Sequence, residues 1–561
     1  MDWKFSELEY TRPDIESVEQ GIREYTAALK SAGSFEETWE LLLGHKNAMM
    51  EYNTMRNMAS IRNTVDTRDP FYAGEKRFFS ANAPKLALLV KEANEALLTS
   101  PFRPQLEEKL GSLFFTNLES RKRLDDPRIL DERIREGELT QQYSRLSATA
   151  STRFRGEECN FYGLLKHMQS TDRAERKEAF EAWAALYEKI APELDALYDE
   201  LVHLRHAMAK KLGFPSFTEM AYLELQRYDY SVEDAARFRE QVKKVITPAC
   251  VKLYERQAGR LGVDKLRYYD EGLVYPEGNP LPRGNARELV EKARQMYREM
   301  SPESGEYFEQ MVEHGMFDLE SRPGKATGGY CSSLHKYKLP FIFSNFNGTA
   351  ADVDVLTHET GHGFDSYLSF RAQPILDLAF STSEICEIHS MTMEHFAYPW
   401  MPLFFGEEAE KYCQSHLADS LTTIPYLVSV DEYQHRVFEN PDMTAMERRA
   451  VWRDIEREYM PWRDYDGNEF LEQGGFWMQK QHIFLDPFYY IEYALAQIGA
   501  YEFYNAAKVD RADAWERYCR LCRAGGSLGY FELLKLAGLH VPFLPETVEN
   551  AVAGVLEELK I

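Results

Sequence analysis

The chain has 561 residues, 44% of them hydrophobic, which is more than one core usually organises, so two or more lobes are expected. Its 91 acidic residues outnumber the 66 basic ones for a formal net charge of −25, a balance that repels nucleic acid and anionic membrane surfaces and favours neutral or cationic ligands. No run approaches the roughly 18 apolar residues of a membrane span, the start MDWKFSELEY lacks the layout of a secretion signal, and seven scattered cysteines read as reduced thiols of a cytoplasmic chain.

Helical patterns dominate from the N-terminal end onward, with apolar residues at three- and four-residue spacing and no fixed-period repeat. The clearest is 173–211, where Phe180, Trp183, Leu186 and Tyr187 fall on one face; Ser170, Thr171 and Asp172 supply capping groups and Gly213 a stop. The pattern breaks between about 262 and 350. There a loop rich in Pro, Gly and Asn (GLVYPEGNPLPRGNAR) precedes a short helix over 285–300, and KATGGYCSSLHKYKLPFIFSNFNGT follows, whose alternating aromatic residues between Gly and Asn predict a small sheet. An edge of that sheet within 326–349 would suit an extended peptide binding by strand addition.

Immediately afterwards stands His358-Glu359-Thr360-Gly361-His362, an HExxH pattern. On a helix, His358 and His362 lie one turn apart on the same face, so both rings can reach a single zinc ion about 2.0–2.1 Å away. Glu359 then flanks the ion without binding it, placed to take a proton from an activated water and to return it to a leaving amine. Val353, Val355 and Leu356 before the motif and Gly361, Gly363 and Phe364 within and after it mark a packed helix rather than a surface one. The pattern therefore points to a metallohydrolase, in the first place a peptidase.

A catalytic zinc takes three protein ligands and keeps a position for water. A third His six residues beyond His362 is excluded, because position 368 is Leu. The segment 383–395, SEICEIHSMTMEH, offers Glu384, Glu387 and Glu394 instead: Glu387 and Glu394 share a helical face, Glu384 precedes Glu387 by one turn, and spacing does not choose among them. His389 lies off that face, as a supporting or packing residue. Near the C-terminal end, Cys519 and Cys522 form a CxxC inside a predicted helix with no second pair at zinc-ribbon spacing, which reads as packing.

HETGHGFDSY, followed by EIHSMTME, resembles the M3 peptidases, and more closely their oligoendopeptidase F and Pz-peptidase branch. GKATGGYCS, PFIFSNFNGTAADVDVLTHETGH, HIFLDPFYYIEYALAQ and GGSLGYFELLKLAGL carry the same resemblance, which covers about 320–540. It implies a mainly α fold, with two helical lobes flanking a deep channel and a small β-sheet next to the zinc helix. An N-terminal lobe is expected over 1–180 and a catalytic lobe over 181–561, with the zinc site at 358–394 and a substrate-facing segment at 482–530. The resemblance selects Glu387 as the third ligand of one zinc per chain and leaves Glu394 as a buried carboxylate orienting His358 or His362; Glu384 is then expected to be solvated or capping. It also implies that His482, with tyrosines among Tyr489, Tyr490 and Tyr493, steadies the oxyanion. Ile491 stands where the branch commonly has Tyr, which leaves the choice among the three open; Tyr490 and Tyr493 are favoured. The implied activity is cleavage of internal bonds in short peptides, without nucleic-acid or membrane partners. The alternative is a zinc carboxypeptidase or dipeptidyl carboxypeptidase of similar helical fold, which would need a cationic clamp that no motif reveals.

Overall fold

A computed structural model describes residues 3–561. Helices form where the side chains can close their own ends. Asp14, Ser34, Asp69, Asp172, Asn285, Thr444 and Asp510 each accept a hydrogen bond from an N–H of the turn they start. At Asn285 and Thr444 a Glu three residues on returns the bond to the cap N–H. The expected long helix runs Arg173–Lys211 and buries Phe180, Trp183, Leu186 and Tyr187 on its apolar stripe, and the expected short one runs Ala286–Met300.

Strands are few. β1 (Thr152–Phe154) and β2 (Glu157–Cys159) make a short antiparallel ribbon. The predicted sheet before the HExxH motif is β3 (Phe317–Glu320), β4 (Tyr330–Leu334) and β5 (Leu339–Phe346) in the order β3-β5-β4. β5, parallel to β3 and antiparallel to β4, is buried from Leu339 to Ser344, which is why its sequence is continuously apolar instead of alternating. No helix among the described residues is long and apolar enough to cross a membrane.

The chain divides into two compact units. The first is Met1–Asp125, Leu281–Ala409 and Phe503–Leu539; the second is Asp126–Pro280, Glu410–Glu502 and His540–Ile561. The expected boundary at 180 thus falls inside the Arg173–Lys211 helix, and the expected segment 482–530 is shared between the units. Length predicts lobes in succession, whereas this chain leaves each unit and returns to it, a long-range property that composition does not record.

Within the second unit Arg227 and Glu492 are paired at 2.9 Å with both side chains fully buried, and Arg227 also donates to the Phe488 carbonyl at 2.6 Å. Removing one member of such a pair strands a charge in a dry interior, so Arg227→Ala should destabilise the second unit by about 3–5 kcal/mol. The joint change Arg227→Met with Glu492→Leu should recover part of that loss. Chemical unfolding followed by tryptophan fluorescence checks both expectations.

Candidate metal centre

Three helices of the first unit build the centre: α1 (Ala351–Ala372), which carries HExxH, α2 (Ser383–Phe396) and α3 (Arg511–Ala524). The start of α1 is anchored by Asp352, whose carboxylate accepts the N–H groups of Asn347 and Gly348 at 2.9 and 2.8 Å. Beyond it α1 is buried nearly all round, which explains its weak amphipathic pattern. At Gly361 the backbones of α1 and α2 touch: a Cβ there would lie 2.6 Å from the Ser390 Cα and 2.8 Å from the His389 carbonyl. Gly363 makes the same room for the Tyr307 hydroxyl and Pro340.

That approach brings three donor atoms together. His358 Nε2 lies 3.3 Å and His362 Nε2 3.5 Å from the same oxygen, Glu387 Oε2, and the two imidazole rings stand at 82° with centroids 4.9 Å apart. Ligands bound at about 2.0–2.1 Å to a tetrahedral zinc are separated by about 3.3–3.4 Å, so these spacings fit a His–His–Glu zinc site. Behind the donors, His358 Nδ1 donates to Glu394 Oε1 at 2.6 Å, which turns Nε2 toward Glu387, and Ser390 Oγ donates to Glu387 Oε2 at 3.0 Å. Glu394 is thus the carboxylate that orients an imidazole, on His358. Glu384 departs from expectation: it is 1% exposed, because the first turn of α2 is itself buried and no carboxylate there can be solvated.

The electrostatics match the geometry. Burial lowers the proton affinity of His358, yet the Glu387 and Glu394 carboxylates outweigh it and hold the imidazole well above its usual range. Burial works in the opposite sense on Glu387, and the two imidazoles hold it well below the usual carboxylate range. Glu359, buried beside them, is pushed up mainly by desolvation. Carboxylates this deep in apolar surroundings call for a positive charge among them, which a divalent ion supplies.

β4 passes alongside. A Cβ on Gly329 would sit 3.8 Å from Glu359 Oε1 and 3.3 Å from Val355 Cγ1, so this glycine keeps the strand next to the carboxylate. The Ile342 N–H bonds to Met316, toward β3, so Cys331, its partner on β4, directs its own N–H and C=O to the outer edge. Two residues on, the Ser333 carbonyl on that edge accepts from Asn57 at 2.9 Å. Cys331 is therefore the rung open for pairing. Sequence reasoning read Gly361 as part of a packed helix but not as the point where α1 meets α2, and it missed Gly329 and Tyr307; GGY ahead of the strand and GHG on a helix were the only signals.

In the second unit His482 lies among all three expected tyrosines, with ring centroids 5.9 Å from Tyr489, 4.8 Å from Tyr490 and 6.2 Å from Tyr493. The turn between them is set by Phe488, which takes a left-handed conformation at φ 66°. Its N–H donates to Gln434 and its carbonyl accepts from Arg227, so the strained residue is held from both sides.

Comparison with known proteins agrees with this architecture. The model of the Peptidase M3 N-terminal domain matches residues 5–124, and that of Peptidase family M3 matches 166–276 and 296–551. The chain is 22% identical over 572 residues to Oligopeptidase PepF of Bacillus subtilis (strain 168), covering 94% of this chain and 81% of that protein. It is 24% identical over 411 residues to an oligoendopeptidase F homolog of Borreliella burgdorferi, covering 70% and 66%. Pz peptidase A, solved with an inhibitor, superposes with a TM-score of 0.94 at 45% identity over 99% of each chain.

The Glu394 contact to His358 generates a graded expectation. Glu394→Ala should leave the three donors in place but weaken zinc binding by about 10–100-fold, as losses of such supporting carboxylates do. Competition for zinc with a chromophoric chelator measures it, and unchanged affinity would mean that the contact does not tune the imidazole.

Proposed function

The chain belongs to peptidase family M3, and from that membership we propose that His358, His362 and Glu387 hold its catalytic zinc, with Glu359 as general base. It is a metalloendopeptidase of the oligoendopeptidase F group, cleaving internal peptide bonds. The observation that carries the assignment is the spacing of three donor atoms on α1 and α2, at 3.3 and 3.5 Å about one carboxylate oxygen, with Glu359 buried next to His358. Zinc bound there would supply Lewis acidity, polarising the scissile carbonyl and lowering the pKa of a water toward neutrality.

The side chains do the rest. Glu359, raised in basicity by its burial, accepts the proton of the attacking water and passes it to the departing amine. Glu394 holds His358 in the tautomer that leaves Nε2 unprotonated. The outward N–H and C=O of Cys331 pair with the backbone of an extended substrate, an interaction indifferent to side-chain identity. His482 and the tyrosines, Tyr490 and Tyr493 before Tyr489, are proposed as donors to the oxyanion; the family resemblance supports this, together with their clustering in the second unit. The names of the relatives, oligopeptidase and oligoendopeptidase, support short peptides as substrates. Seven free cysteines support work in a reducing compartment such as the cytoplasm.

Glu359→Gln separates chemistry from binding. It should retain zinc and peptide affinity while turnover falls by about 10²–10⁴-fold, the usual range for a general base. Near-normal turnover in that variant sinks the mechanism. Glu387→Ala should lose both the catalytic zinc and activity.

On the oxyanion side, His482→Ala and the three Tyr→Phe variants should be measured separately. The true donors should lower kcat by about 10²–10³-fold with little change in KM. If all four keep full kcat, the oxyanion lies elsewhere. Blocked peptides of about five to twenty residues, extended to at most roughly 3.5 Å per residue, should be cut internally while folded proteins survive. Failure on peptides blocked at both ends would instead indicate an exopeptidase.

A further inference from the structure

One turn beyond the HExxH motif on α1, a second set of donors converges. Asp365 of α1, His389 of α2 and Cys522 of α3 offer a carboxylate oxygen, an imidazole nitrogen and a thiol sulfur, all within 4.8 Å of one another. Asp365 is 5% exposed and the other two are fully buried. They lie 24 to 157 positions apart in the sequence and meet only because α2 and α3 both pack on α1.

This cluster lacks the hydrogen bonds that buried polar groups normally make. Asp365 Oδ1 and both ring nitrogens of His389 are without a hydrogen-bond partner among the described residues. The separation of Asp365 Oδ1 from His389 Nδ1 is 3.4 Å, longer than a carboxylate–imidazole hydrogen bond of about 2.7–2.9 Å. It equals the spacing of two donors on one tetrahedral zinc, about 3.3–3.4 Å, and falls between the 3.3 and 3.5 Å found at the His–His–Glu site. An unpaired carboxylate and imidazole in an apolar interior cost several kcal/mol together, a penalty that a shared ion removes.

We propose that Asp365, His389 and Cys522 form a second zinc site, structural in purpose, which ties α2 and α3 to the HExxH helix. The donor set is that of zinc: imidazole nitrogen, carboxylate oxygen and one thiolate, with the second oxygen of Asp365 or a single water completing four-coordination. A carboxylate and a thiolate neutralise the divalent charge, so the filled site carries no net charge into the interior. Both groups are buried, which makes them unfavourable as isolated anions and natural partners of a cation. Because His389 follows Glu387 by two residues on α2, filling this site would also fix the helix that presents the catalytic Glu.

Sulfur distinguishes the two sites, since the catalytic set contains none. Full-length protein expressed in cobalt-supplemented medium should bind two metal ions per chain by mass spectrometry. It should also show a near-ultraviolet thiolate-to-cobalt charge-transfer band. Cys522→Ser should abolish the band and reduce the content to one ion, while Cys519→Ser keeps both. Glu387→Ala should keep the band and lose only the catalytic ion, so failure of the catalytic assignment would be seen separately. One ion per chain without a thiolate band in the unmutated protein overturns the proposal, and that measurement requires no variant to fold. A band that survives Cys522→Ser, or one that disappears with Glu387→Ala, overturns it as well.

Discussion

The structure depends on how closely α1 and α2 approach at Gly361. With the Ser390 Cα and the His389 carbonyl where a side chain would begin, the two backbones are in contact, and only this contact carries Glu387 to within 3.5 Å of both imidazoles. One turn of helix fixes the His358–His362 separation by itself, since i and i+4 must share a face. The third donor has no such local guarantee. Its position comes from packing, and in a close-packed interior even one methyl group at Gly361 would force the helices apart. The apolar bulk of α1, the buried first turn of α2 and the sheet that supports β4 all serve that approach.

Around this contact the chain distributes charge economically. Glu394 and Ser390 hold His358 and Glu387 from behind, so neither donor needs to move when an ion arrives. Glu359 stays outside these contacts, as the proposed base, and Gly329 keeps the neighbouring strand beside it. The outer edge of β4 at Cys331 and the Glu359 carboxylate thus belong to one neighbourhood, joined through Gly329.

Much of this was legible in the residues, for reasons that differ from place to place. The Arg173–Lys211 helix announced itself through periodicity and an Asp172 cap, and the β3-β5-β4 sheet through an apolar run between glycines. HExxH is local chemistry, so its reading needed no tertiary information. Glu384, Glu387 and Glu394 could not be separated by spacing, because all three occur on one short helix; family resemblance chose, and the burial of Glu384 in the first turn of α2 was invisible. The interleaving of the two units and the meeting of Asp365, His389 and Cys522 are long-range facts, set by which helices pack on α1, and no window of sequence contains them.

Packing alone sets three donors of α1 and α2 at the spacing one zinc ion needs. This preset spacing is tested most directly by an anomalous-difference map collected at the zinc edge from crystals of zinc-loaded protein. A peak is expected about 2.0–2.1 Å from His358 Nε2, His362 Nε2 and one Glu387 oxygen, with those side chains unmoved in zinc-free crystals. A peak at another site, or donors that assemble only when zinc is present, would contradict it.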